Sequence, residues 1–276
     1  MSAAMKLVNG IPAEQINLAD RGLQFGDGVF RTIKVVDGRV IWWCEHYAKL
    51  VADCAKLAIT PPSEADLLAD IAQLSPSNHT LKIIVTRGET ARGYVASADL
   101  PANRIVQIAP LPAYAPELAT QGVRLRTCST RASWQPALAG VKHLNRLENV
   151  IARREWNDAS IFEGLMFDRD DNLIEGVMSN VWVLLDGVLC TPDLSESGVE
   201  GVCRDMAQRA ADYIGIPVLV CKIARSQLSR APAMWVCNSL AGLLPVNTLD
   251  QQALAIGACH ADWARALQQL MQIDSE

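Results

Sequence analysis

Hydrophobic and polar positions along this chain change their period several times, and each change predicts an element. Residues 6–18 alternate around Asn9-Gly10, a strong hairpin signal, so the chain is expected to open in strands. An apolar strand over 32–36 turns at Asp37-Gly38, after a stretch in which Gly26 and Gly28 flank Asp27. Tyr47, Leu50, Val51, Cys54 and Leu57 then recur at helical spacing until Pro61-Pro62 stops the run, and a second helix is predicted over 64–74. The β-branched runs 81–86 and 104–108, bounded by turn formers, read as strands. Together these elements predict a smaller N-terminal α+β domain over residues 1–109.

Residues 110–116 hold Pro110, Pro112 and Pro116, which disfavour helix and interior strand and predict a semi-rigid connector. The larger domain is placed at 117–276 and is expected to be strand-rich α+β. Strands are predicted at 123–128, 161–167, 181–185, 188–190, 217–220 and 234–237, with helices at 147–156, 202–214 and 261–271. The helix after Lys142 is expected to bury Leu147, Val150 and Ile151, and the last helix ends in a few polar residues expected to fray.

Composition narrows the function. Half of the 276 residues are hydrophobic, enough to fold a substantial core, and the formal charge of −5 is well mixed. A nucleic-acid partner is disfavoured because no basic stripe answers a phosphate backbone. The eight cysteines form no pair at the spacing of a zinc or redox motif, so they read as reduced thiols of a cytoplasmic protein. The N-terminus shows no secretory pattern, and no apolar run is long enough to span a membrane. The four histidines lack metal-ligand spacing, and neither G-x-S-x-G nor a P-loop occurs, so metal and serine-hydrolase chemistry are disfavoured.

Candidate chemistry gathers at a few places. Lys142 precedes a helix, and Glu175 lies at the end of an apolar strand before Gly176. A lysine amine can hold an aldehyde cofactor as a Schiff base, and a carboxylate can keep that cofactor's ring nitrogen protonated, so the pair suggests a pyridoxal phosphate site. A solvated surface lysine and a turn carboxylate are the plain alternatives. The start of the helix at Gly201, Val202 and Cys203 offers backbone N–H groups suited to a phosphate, with Asn238-Ser239 available as further donors or as an ordinary strand-end turn. Arg87 and Arg92, in the polar loop that also carries Tyr94, could fork onto a carboxylate.

Asp20-Arg21-Gly22 with Gln24-Phe25-Gly26-Asp27-Gly28, Lys142 with His143-Leu144-Asn145-Arg146-Leu147, Glu175-Gly176 with Asn180, and Gly201-Val202 with Arg204 resemble the fold-type IV pyridoxal-phosphate enzymes, in family order and over nearly the whole chain. Within that superfamily the Lys-His-Leu-Asn-Arg-Leu string is most similar to the aminodeoxychorismate lyases. Branched-chain and D-amino-acid aminotransferases share the plan, typically without an arginine there. The resemblance implies a homodimer of two-domain subunits with pyridoxal 5'-phosphate between the domains, and formation of 4-aminobenzoate and pyruvate from 4-amino-4-deoxychorismate. Transamination is the alternative activity, and a non-enzymatic ligand-binding scaffold is a second. The resemblance assigns Lys142 to the aldehyde and Glu175 to the ring nitrogen. It assigns Gly201, Val202, Cys203, Asn238 and Ser239 to the phosphate, and Arg92 and Tyr94 to the substrate carboxylate. Lys49 stands where the family usually has a phosphate-binding arginine, which implies weaker cofactor anchoring.

Overall fold

The computed structural model describes residues 6–97 and 99–273, and the chain is α+β. By packing it divides into two compact units, one running through Pro112 and taking in Val141–Asn145, the other comprising Ala113–Gly140 and the chain from Arg146 onward. The return of five residues to the first unit is a discontinuity that no linear boundary expresses.

In the first unit, β1 (Lys6–Val8) and β2 (Ile11–Pro12) form the opening hairpin, shorter than the alternating pattern. Asn9 and Gly10 both take positive φ, 51° and 82°, as a two-residue primed turn requires. A short helix, α1 (Arg21–Phe25), follows, capped by the Asp20 side chain on Leu23 N–H and ended by Gly26 at φ 67°. Then come β3 (Gly28–Val36), β4 (Arg39–Val40), α2 (Trp43–Lys56), α3 (Glu64–Leu74), β5 (His79–Thr86) and β6 (Asn103–Pro110). The six strands make one antiparallel sheet in the order β2-β1-β6-β5-β3-β4. Its core holds Val29, Ile33, Leu81, Ile83 and Val85 from the sheet against Leu50, Cys54, Leu67 and Ile71 from the helices.

The second unit contains α4 (Leu118–Gln121), β7 (Val123–Arg131), α5 (Leu147–Arg153), β8 (Ile161–Phe167), β9 (Leu173–Gly176), β10 (Asn180–Leu185), β11 (Val188–Pro192) and α6 (Val202–Tyr213). It continues with β12 (Val218–Cys221), α7 (Arg225–Leu228), β13 (Ala233–Asn238), β14 (Gly242–Leu249), β15 (Gln252–Ala253) and α8 (His260–Ile273). A nine-stranded mixed sheet runs β12-β11-β10-β13-β14-β7-β8-β9, with β15 paired to β14. Trp263 of α8 stands edge-on to Trp182 and Trp235, with ring centroids 5.4 Å away in each case, and its indole N–H donates to the Ala207 carbonyl at 2.7 Å. Aromatic contacts of this kind add about 0.5–1.5 kcal/mol each beyond area burial, and they seat α6 and α8 on the sheet. The polar residues after Ile273, expected to fray, lie outside the described residues.

Two expectations are corrected. The pattern predicts no strand over 242–249, yet β14 is an interior strand. Pro245 pairs with Trp235 of β13 one residue before β14 meets β7 at Val246, so its missing N–H falls where that ladder has not yet begun. The second concerns α5, which turns Leu147, Val150 and Ile151 outward and buries Asn149 and Ala152. Asn149 donates its amide to the Val177 carbonyl at 3.0 Å, so a polar and a small residue form the inner face. Among the described residues no helix is long and apolar enough to cross a membrane, and no group of three or more His, Cys, Asp or Glu could hold a metal.

Candidate active site

In the first unit the lysine segment behaves as an added strand. Residues 142–144 run antiparallel to the start of β3: Phe30 N–H donates to the Lys142 carbonyl at 2.9 Å, and Leu144 N–H donates to the Gly28 carbonyl at 2.9 Å. Gly28 is needed for this approach, since a Cβ there would sit 2.4 Å from the Val85 carbonyl oxygen and 2.8 Å from Leu144 Cδ1. Asp53 of α2 completes the anchoring. Its Oδ2 accepts the Lys142 main-chain N–H at 3.0 Å and pairs with the Arg31 guanidinium, while Oδ1 accepts from Lys49 Nζ at 2.5 Å. Asp53 is 1 % exposed, and so is Arg31. The lysine backbone is thus fixed on both sides of its carbonyl, and its Nζ lies 4.7 Å from the Phe30 ring centroid.

His46, also on α2, is buried, with neither ring nitrogen hydrogen-bonded. Burial first, and then the positive charges of Arg31 and Lys142, hold its pKa down to about 3. The imidazole is therefore neutral near pH 7.

The carboxylate side is built in the second unit. Glu175 sits on β9, opposite Met166 of β8, and is 5 % exposed. Its Oε2 accepts the Val199 main-chain N–H at 2.8 Å. Gly198, at φ 81°, packs against Ile174 and Leu194, and a Cβ there would come within 2.8 Å of both. Glu163, on β8, supports the turn that joins β9 to β10: it accepts from Met178 N–H at 2.9 Å and from Ser179 Oγ at 2.8 Å. Burial pushes the Glu163 carboxyl above its ordinary value despite these donors. Arg146, at the start of α5, is the cation that feels Glu175. Burial lowers its pKa, and the charges of Glu175 and Glu148 oppose that shift.

The start of α6 comes two residues after Val199, whose N–H this carboxylate accepts, and is fixed by Asn180 of β10. The Asn180 side chain accepts from Gly201 N–H at 3.1 Å and donates to the Val199 carbonyl at 2.8 Å, and a Cβ on Gly201 would meet Asn180 Oδ1 at 2.4 Å. Val202 and Cys203 occupy the first turn of the helix, whose N–H groups lie outside the intrahelical ladder. Arg204 is buried and ties α6 to β11 through Thr191 Oγ1 at 3.2 Å and the Pro192 carbonyl at 3.1 Å.

The remaining candidates lie as follows. Asn238 uses its side-chain oxygen to close the β13–β14 turn, accepting from Leu240 N–H at 3.0 Å and Ala241 N–H at 2.8 Å, with Ser239 half-buried in that turn. The turn alternative is therefore realised for the Asn238 oxygen. Arg92 and Tyr94 are exposed on the loop after β5, and Arg87 is engaged by Asp27. Lys142, Lys49, Arg92 and Tyr94 thus belong to the first unit, and Glu175, Gly201, Val202, Cys203, Asn238 and Ser239 to the second.

Sequence reasoning missed Asp53 and Glu163. Each had a faint signal, a carboxylate on the apolar face of a helix and a lone charge in an otherwise apolar strand.

A family model described as amino-transferase class IV matches residues 28–249. An aminodeoxychorismate lyase of Vibrio harveyi is 34% identical over 88% of this chain and 90% of its own length, and a D-alanine aminotransferase of Bacillus licheniformis is 28% identical over 88% and 86%. Among solved structures, the 4-amino-4-deoxychorismate lyase of Pseudomonas aeruginosa superposes with a TM-score of 0.91 at 40% identity, covering 98% of this chain and 99% of that one. The Escherichia coli branched-chain amino acid aminotransferase shares the fold, with a TM-score of 0.85 at 21% identity over 100% of this chain and 97% of that one.

Proposed function

Because the chain belongs to the class IV amino-transferase family, we propose that it is a lyase that uses pyridoxal phosphate to convert 4-amino-4-deoxychorismate to 4-aminobenzoate and pyruvate. The donor set fits that cofactor. An amine at Lys142 answers an aldehyde, a buried carboxylate at Glu175 answers a ring nitrogen, and the start of α6 answers a phosphate. When bound, the cofactor supplies an aldehyde carbon that bonds an amine and a ring that withdraws electrons from it.

The observation that carries the reading is the setting of Lys142, whose main chain is pinned by Asp53 and β3 so that one amine is delivered to a fixed place. Lys142 Nζ, when not bonded to the cofactor, would be the base that takes the proton from the substrate carbon bearing nitrogen. The same nitrogen then gives a proton to the departing enolpyruvyl carbon, which yields pyruvate, while the ring left behind becomes aromatic. Glu175, oriented by Val199 N–H, would hold the proton on the ring nitrogen. The start of α6 at Val202 and Cys203 would bind the phosphate, with Gly201, its own N–H given to Asn180, allowing the close approach and Lys49 contributing charge without the bidentate fork of an arginine. Ser239 and the Asn238 amide nitrogen would add donors, and Arg92 and Tyr94 would meet the substrate carboxylate.

Similarity favours the lyase over transamination, at 34% against 28% for curated relatives and 40% against 26% for solved structures. Purified protein loaded with pyridoxal phosphate should release aminobenzoate from 4-amino-4-deoxychorismate. Glutamate formed from an amino acid and 2-oxoglutarate, with no aminobenzoate from the other substrate, would reject the lyase in favour of the aminotransferase.

The proposal includes a homodimer. Leu18, Leu23, Tyr94 and Val95 are 80, 58, 85 and 91 % exposed in the first unit, and Leu147, Val150 and Ile151 are exposed on α5 of the second. Exposed apolar side chains on each unit ask for a cover. Sedimentation at micromolar concentration should give twice the 30.0 kDa chain mass, and a single-chain mass counts against the dimer.

A further inference from the structure

Arg21 is 3 % exposed, yet its guanidinium reaches into the loop that carries Arg92 and Tyr94. Nη1 donates to Thr90 Oγ1 at 3.0 Å and to the Gly93 carbonyl at 2.8 Å, and Nη2 donates to the Tyr94 carbonyl at 2.9 Å. The guanidinium carbon lies 4.9 Å from the Phe25 ring centroid, and the Phe25 ring in turn lies 5.3 Å from that of Tyr94. One buried side chain thus holds the loop main chain at Gly93 and Tyr94 and its side chain at Thr90.

The grip is backed by the scaffold. Arg21 Nε donates to Asp27 Oδ2 at 2.9 Å, and Asp27 also receives Arg87 Nε at 2.7 Å and Nη2 at 3.0 Å. Arg87 donates in addition to the Leu57 and Ala58 carbonyls, each at 2.7 Å, just past the end of α2. A chain of ion pairs therefore runs from the end of α2 through Arg87, Asp27 and Arg21 to the loop. Nearer the loop's start, Thr90 N–H donates to the Ala19 carbonyl at 3.3 Å. Among the described residues, Arg21 supplies the hydrogen bonds that reach Gly93 and Tyr94. Gly93, at φ 87° and with nothing within 4 Å of where a Cβ would sit, gives the loop no packing of its own there.

We propose that Arg21 is a positioning residue for substrate recognition: by fixing the main chain at Gly93 and Tyr94 it sets where Arg92 and Tyr94 stand to receive a carboxylate-bearing substrate. The inference rests on the assignment of that loop to the substrate in the preceding reading. Lysine cannot replace the grip, because its ammonium lacks the planar fork that serves Asp27 and the loop together.

The test uses full-length Arg21→Lys protein loaded with cofactor, with amide hydrogen exchange followed over residues 90–95 and kinetics measured on 4-amino-4-deoxychorismate. Exchange should quicken about tenfold and KM rise about tenfold while kcat stays within about threefold, a split that general loosening of the fold does not produce. Thr90→Val leaves the buried arginine in place and removes one loop acceptor. It should shift both readouts the same way by a smaller factor, and it decides the matter if Arg21→Lys fails to fold. Unchanged exchange in the folded variants overturns the grip, and faster exchange with an unmoved KM overturns its role in recognition. Wild-type protein that forms no aminobenzoate would defeat the lyase reading, while the exchange data would still decide whether Arg21 holds the loop.

Discussion

Lys142→Ala, loaded with pyridoxal phosphate, should form aminobenzoate about 10⁴-fold more slowly than the wild type, the loss expected when one nitrogen serves as covalent anchor and proton carrier together. The fold should survive the change. Alanine keeps the main-chain N–H that Asp53 Oδ2 accepts at 3.0 Å and the carbonyl that receives Phe30 N–H at 2.9 Å, so the added strand beside β3 stays in place. Only the half-buried side chain over the Phe30 ring is lost. The visible absorbance of the bound cofactor should also change, because no protein amine remains to bond its aldehyde. A small primary amine added to the solution, able to occupy the vacated space, should restore part of the rate. Turnover within tenfold of wild type would remove Lys142 from the mechanism, whatever the absorbance did.

Much of the fold was legible where one physical signal acted alone. The helix α3 occupies 64–74 as its apolar spacing predicts, with Ser63 accepting Asp66 N–H at its start, and β8 occupies 161–167, where an apolar run lies between turn formers. The misses arose where two signals competed. In β14 a proline interrupts the strand pattern, and the absent N–H of Pro245 is without consequence because pairing with β7 begins only at Val246. On α5 the periodicity located the apolar stripe correctly and mistook what covers it. Leu147, Val150 and Ile151 point away from the chain's own sheet, and a hydrophobic pattern states only that a face avoids water, not which surface it meets.

The site divides in the same way. Lys142, Glu175 and Gly201 are proposed from sequence because each sits in a short local string whose residues have a chemical meaning. The groups that hold them could not be read. Asp53 meets Lys142 across 89 residues of sequence, Arg21 meets Tyr94 across 73, and Glu163 meets Ser179 across 16. Such partners become adjacent only when the sheets close, and a buried carboxylate in a sequence looks like any other charge until its donors are known. Burial of these groups is tolerable only because the donors are there. Each carboxylate accepts at least two hydrogen bonds, which offsets a desolvation cost of several kcal/mol for an unpaired ion.

Glu175→Gln tests the opposite end of the cofactor and should lower kcat by about 10²- to 10³-fold, or roughly 3–4 kcal/mol in the barrier. The substitution is nearly isosteric. A glutamine oxygen can still accept Val199 N–H, which Glu175 receives at 2.8 Å, and the surrounding β9 packing is unchanged, so stability should move by less than about 1 kcal/mol. What the amide lacks is the negative charge that keeps a proton on the ring nitrogen, so electrons arriving from the substrate are accepted less well and the proton transfer to Lys142 becomes harder. Burial lowers the pKa of Arg146 and the charges of Glu175 and Glu148 oppose that shift, so removing the Glu175 charge should lower it further. Cofactor affinity should fall much less than kcat, because the phosphate contacts assigned to the start of α6 are untouched. A Glu175→Gln protein whose kcat stays within threefold of wild type, with cofactor bound, would show that the ring nitrogen takes its proton from elsewhere and that this carboxylate only shapes the β9 turn.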